Sequence, residues 1–268
     1  MSAPRDRGLP PLRSSTPRSR EDPKSTAIRM PHTLLEDLAD ATATRLPWRP
    51  PGPAPTGTAV PAPIVAALED FGSAAVLVDV EVVVRLSGSR AAIARLRSWQ
   101  RLAGDRVVAV SAVGPETVEL AWFGIDQWRG RLAHAVTVDP PRVGAPPPTR
   151  LDVPHELLAG GCAALRAGRP DLVDRLLSRH AGRVHGATAT PGLVRRLAAS
   201  VGRMRTTVVA RGARGDRRVG WLSWVLFADG WRALTPCSRG GEPIVRVRAV
   251  RPDDLGGRVA RIVAGALS

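Results

Sequence analysis

VELAWFGIDQWRGRL (Val118–Leu132) and VGWLSWVLFADGWRAL (Val219–Leu234) read as two versions of one pattern: an alternating strand, a tryptophan, a short turn, a Trp-Arg pair and a further strand. Trp122 precedes Trp224 by about 102 residues, and Trp128 precedes Trp231 by about 103. Their neighbours follow in the same order. A helix expected over 89–103, with Ala92, Ile93, Leu96, Trp99 and Ala103 on its buried face, matches one expected over 190–202, where Leu193, Val194, Leu197 and Val201 share a side. Strand 106–113 matches strand 204–211, and helix 152–166 matches helix 252–267. One copy alone leaves a sheet face and an edge bare, so the two halves are expected to pair around a shared core. This predicts a pseudo-twofold α+β domain with repeats at about 76–167 and 168–268.

Outward from the repeat, residues 1–30 mix Pro, Ser, Arg and acids without periodicity and are expected to form a disordered tail. Residues 31–268 form one domain. Short helices are expected over Thr33–Arg45 and Pro63–Phe71, separated by a Pro-rich linker at 47–63. Ala75–Leu86 is Val-rich and strand-like, and Trp128–Val138 reads as a third strand of the first copy. Pro170–His180 is a helix with Asp171 and Asp174 in its first turn and Arg179 and His180 in its last, as the helix dipole favours. Strands follow at 217–227, 231–236 and 244–250.

Composition excludes several chemistries. Among 268 residues with net charge +15, the sole lysine is Lys24 and there is no tyrosine. A phosphate-gripping P-loop, a lysine Schiff base and a pyridoxal-phosphate site all need a placed lysine, and Lys24 lies in the tail. G-x-G-x-x-G, G-x-S-x-G and H-E-x-x-H are absent. Cys162 and Cys237 give neither a zinc spacing nor a disulfide framework and read as reduced, packed thiols of a cytoplasmic protein. Gly182 between His180 and His185 breaks the i, i+4 geometry of a helical metal pair, so a surface helix-to-loop segment is expected there. No catalytic, cofactor or metal residues are expected, and no membrane span: the longest charge-free run, Pro50–Leu68, holds six prolines. The Ala, Arg, Gly, Pro and Val bias is that of a GC-rich actinobacterial genome, so arginine alone does not mark a nucleic-acid surface.

Two readings compete for the second half. Helices 152–166, 170–180 and 190–202 followed by strands 204–211 and 217–227 fit a winged helix, in which Arg195, Arg196, Arg203 and Arg205 meet phosphates. The same elements fit a protein-binding surface. RGARGDRR (Arg211–Arg218) is either a solvated turn or a partner-contacting loop with Arg211, Arg214 and Arg217. Strand Val219–Phe227 is apolar on both faces, with Trp221, Val225 and Phe227 pointing one way and Leu222, Trp224 and Leu226 the other. It is either a fully buried central strand or one with an uncovered apolar face. Leu172, Val173 and Leu176 on helix 170–180, with Trp221 and Phe227, complete the expected contact set.

RSWQRLAGDRV (Arg97–Val107), VELAWF (Val118–Phe123), VGWLSWVLFADGWRALTP (Val219–Pro236) and VRPDDLGGRVARIV (Val250–Val263) resemble the EspG family of ESX, or type VII, secretion-associated proteins of actinobacteria. The likeness spans roughly residues 31–268. It implies a quasi-twofold antiparallel sheet flanked by helical bundles. It also implies a non-enzymatic cytosolic chaperone that binds PE–PPE heterodimers at the apolar tip of the PPE protein, keeps them soluble and directs them to the secretion machinery. The implied partners are thus helical ESX substrates, with no small-molecule substrate, no cofactor, no membrane and no specific nucleic acid. No short motif of the family carries contact residues over to this chain.

Overall fold

Alternation decides the centre of the molecule. In Val76–Arg85 every even position from Val76 to Val84 is a buried valine, while Leu77, Asp79, Glu81 and Val83 face the other way, half-buried. This strand, β2, lies in the middle of a ten-stranded sheet in which every pairing is antiparallel. The computed structural model describes residues 25–53, 60–85, 93–138, 150–180, 200–212 and 215–267.

The chain runs through β1 (Thr26–Pro31), α1 (His32–Ala41), α2 (Ala62–Ser73), β2, β3 (Ile93–Ala103), β4 (Arg106–Ala112), β5 (Thr117–Gly124) and α3 (Ile125–Ala135). The second half repeats the scheme with β6 (Arg150–Pro154), α4 (His155–Arg166), α5 (Pro170–Arg179), β7 (Gly202–Arg211), β8 (Arg217–Phe227), β9 (Gly230–Arg239), β10 (Glu242–Ala249) and α6 (Asp254–Leu267). The sheet order is β1-β5-β4-β3-β2-β7-β8-β9-β10-β6. Swapping the two five-strand halves leaves that order unchanged, and the quasi-twofold axis passes through the β2–β7 pair at Val80 and Thr206.

The layers follow. On one face α3 and α6 cover the even residues of β2 together with Met204, Val208, Trp224 and Leu226, forming the largest core cluster. Among the described residues, the opposite face is covered only at its ends. Leu35, Leu38, Ile64 and Leu68 of α1 and α2 pack on Trp99, Val108, Val110 and Leu120 at one end. Leu157 and Leu158 of α4 pack on Phe227, Val245 and Val247 at the other.

The quasi-twofold α+β sheet matches the sequence reading, but its register differs. Arg106 and Gly230 open equivalent strands, so the period is about 124 residues, not the 102 suggested by tryptophan spacing. Trp122 lies on β5 and Trp224 on β8, which are not equivalent strands. The expected helix 89–103 is strand β3 over its described part. Residues 98–102 are buried on both faces, and such a run carries helical and strand periods alike. Pairing with both β2 and β4 decides for strand. The expected strand 128–138 is helix α3: Trp128, Leu132 and Val136 recur every four residues toward the core, and Asp126 and His134 suit the helix dipole at its two ends.

Residues 1–24 of the expected tail lie outside the described residues, and its last residues need correction. Thr26–Pro31 pairs with β5 along its length, and Met30 is buried. His185 and residues 190–199 of the expected helix lie outside the described residues, and Gly202 at its end opens β7. His180 is buried rather than on the surface, its Nε2 3.6 Å from Glu156 Oε2. Cys162 and Cys237 are each half-buried. The winged-helix arrangement is not present: β7 and β8 are central strands of the sheet, not a wing beside a helical core.

Candidate partner-binding surface

Between the helix pairs, no described element covers the middle of the sheet. Four rows of side chains cross it from β3 to β8, set by the registers of β2 with β3 and β7 and of β7 with β8. The first is Arg101, Leu77, Val209 and Val219; the second is Trp99, Asp79, Thr207 and Trp221. The third is Arg97, Glu81, Arg205 and Ser223; the fourth is Arg95, Val83, Arg203 and Val225. Trp221 is 75% exposed and Val219 49%, both large apolar side chains in the centre of a sheet. An exposed tryptophan beside an exposed valine is the kind of apolar patch that marks a partner site.

The other side of β8 explains why Trp221 faces out. A Cβ on Gly220 would lie 2.7 Å from Ile262 Cγ2, so the glycine lets α6 pack directly on the strand. With α6 seated behind it, alternation aims Val219 and Trp221 to the front.

Charge is also sorted on this face. Asp79 accepts a 2.7 Å bond from the buried Arg101, whose guanidinium lies over the Phe71 ring. Glu81 pairs with Arg95 at 2.6 Å. Arg97 stacks over Trp99, 4.8 Å from the ring centre. Among the described residues, Arg97, Arg203 and Arg205 have no carboxylate partner. The third and fourth rows are therefore cationic, and the first two mainly apolar.

The expected contact residues divide. Trp221, Arg211 and Arg217 are exposed. Leu172 and Leu176 are half-buried and, with Gly160, Ala163, Arg175 and Arg179, line a groove of about 520 Å³ between α4 and α5. Val173 is 2% exposed and Phe227 5%; both are packed inside, Phe227 beneath α4. The expected single patch of Trp221 and Phe227 is thus interrupted, because α4 covers the β9 end of that face. Arg214 lies outside the described residues. Sequence reasoning missed Leu77, Val209 and Arg97 as surface elements and took Arg203 and Arg205 only for phosphate contacts. The usable signal was β2, where acids and apolar residues alternate against valines.

Comparison with solved structures matches this architecture to the type VII secretion system chaperone EspG5 of Mycobacterium tuberculosis, solved in complex with the PE25–PPE41 dimer. The TM-score is 0.60 at 15% identity, over 91% of this chain and 97% of that one. The chain has the EspG fold. No protein-family model and no curated protein matches the sequence. The EspG fold therefore rests on the arrangement of strands and helices, which covers nearly the full described chain. Among the described residues, no helix is long and apolar enough to cross a membrane, and no group of three or more His, Cys, Asp or Glu is placed to hold a metal ion.

Proposed function

We propose that this protein is a non-enzymatic cytosolic chaperone of a type VII secretion system. It binds a PE–PPE-like helical heterodimer, keeps it soluble and directs it to the secretion machinery. The observation that carries the reading is Trp221, 75% exposed beside Val219 in the open centre of the sheet. A protein that keeps such a patch bare gains by covering it with an apolar partner surface. The fold shared with EspG5, whose structure holds the PE25–PPE41 dimer, supplies the class of partner. Trp221 is the anchor, and Leu172 and Leu176 in the α4–α5 groove with Arg211 and Arg217 form the outer contacts.

Co-expression tests this. A helical protein pair encoded beside this chain should aggregate when made alone and co-purify in soluble form with it. Leu176→Asp should weaken co-purification by placing an unpaired carboxylate in the contact. If no neighbouring helical protein binds the wild-type chain, the chaperone reading falls.

A further inference from the structure

The open face is divided along the strands, and the division has a ligand-sized geometry. The exposed arginines stand in two columns, Arg95 and Arg97 on β3 and Arg203 and Arg205 on β7, with β2 between them. Strands lie about 4.8 Å apart, so the columns are separated by roughly 10 Å, the diameter of an α-helix with short side chains. Along the strands, Arg205 lies two residues from the row of Trp221 and Arg203 four. At about 3.3 Å per residue these are roughly 7 and 13 Å. In a helix the same distances are about five and nine residues, between one and two and a half turns.

We infer that the open face holds a partner helix lying along β2, its apolar tip against Trp221, Val219, Val209 and Leu77, and its flanks carrying carboxylates that meet the two arginine columns. The inference rests on the chaperone reading for the partner's helical character and adds what that reading lacks: acidic residues about five and nine residues beyond the apolar tip. Charge complementarity commits the occupant. Glu81 is matched by Arg95, which leaves Arg97, Arg203 and Arg205 without an ion-pair partner among the described residues. A basic or neutral helix leaves these cations facing like charge or apolar surface; an acidic one pairs them.

The test uses the full-length chain and two synthetic helical peptides. Both carry a Leu-Phe tip; one has Glu about five and nine residues from it on both flanks, and its counterpart has Lys there. Fluorescence anisotropy should show the Glu peptide binding about 10-fold or more tightly than the Lys peptide in ~0.05 M salt, with the gap narrowing in ~0.5 M salt. Arg203→Glu with Arg205→Glu should invert the preference. Arg203→Gln with Arg205→Gln should reduce it, and covers the case in which the double reversal fails to fold. Equal binding of the two peptides, or binding of neither, overturns the inference. The preference is read without any PE–PPE-like protein, so its loss and the failure of co-purification are separate results.

Discussion

Arg246 grips Asp152 with two parallel bonds, Nε to Oδ1 at 2.8 Å and Nη2 to Oδ2 at 3.1 Å, between residues directly opposite on β10 and the edge strand β6. The guanidinium holds the Asp152 carboxyl below its usual value of 3.8. Because the folded value is depressed, the pair's stabilisation is complete above the unfolded value and is lost as pH falls through the folded one. Asp152→Asn should cost about 1 kcal/mol near neutral pH and lower Tm by roughly 2–4 °C. The difference between variant and wild type should shrink in thermal melts taken below about pH 3.8. An unchanged difference in acid would remove the ion pair as its cause.

Adjacent glycines of α6 should respond in opposite directions. A Cβ on Gly256 would meet the Arg129 backbone Cα at 3.0 Å, where α3 and α6 touch, whereas one on Gly257 would meet nothing within 4 Å. Gly256→Ala should destabilise by about 2 kcal/mol through overpacking. Gly257→Ala should stabilise by about 0.5–1 kcal/mol, since alanine loses less backbone entropy in a helix. Denaturant midpoints of the two variants check both signs.

Trp221 and Phe227 share a strand and a face but not an environment. Trp221→Ala should leave the melting temperature almost unchanged while abolishing capture of the helical client. Phe227→Ala should cost about 3 kcal/mol or more, since it opens a cavity beneath α4. Circular dichroism melts beside a pull-down separate the two. Comparable destabilisation by both changes would mean that Trp221 is packed.

The first strand is structural. Removing residues through Pro31 strips β1 from β5, uncovers Leu120 and Val118 and leaves an unpaired edge. We expect a loss of about 3 kcal/mol or more and concentration-dependent aggregation, measured by melting and light scattering.

The second half of the sheet was legible because β7 to β10 are joined by short turns, and local alternation suffices there. The first half was harder. Ser98-Trp99 and Ser223-Trp224 look like the same dipeptide in two copies. Yet Trp99 packs under α1 and α2, and Trp224 packs on the opposite face with α6. The turns that follow show that Trp99 corresponds to Ser223, a slip of one residue, which exchanges the faces of a strand. Arg101 also masked β3: a buried arginine reads as polar in any pattern, and its bonds to Asp79 and to the Gln100 carbonyl make the position tenable. The candidate surface was half legible for a related reason. Trp221 and Phe227 alternate onto one face, but which part of that face stays bare is decided by α4, which arrives from a distant part of the chain.

Twofold scaffolds pose a problem of sense for a linear ligand. If both halves of this sheet carried the same front, a helix laid across the axis could bind head-first or tail-first with equal energy. Trp221 on β8 and Arg97 on β3 stand at equivalent places, each six residues before the last residue of its strand. The opposite chemistries of these two places remove the ambiguity: the molecule has a symmetric skeleton and a one-way face.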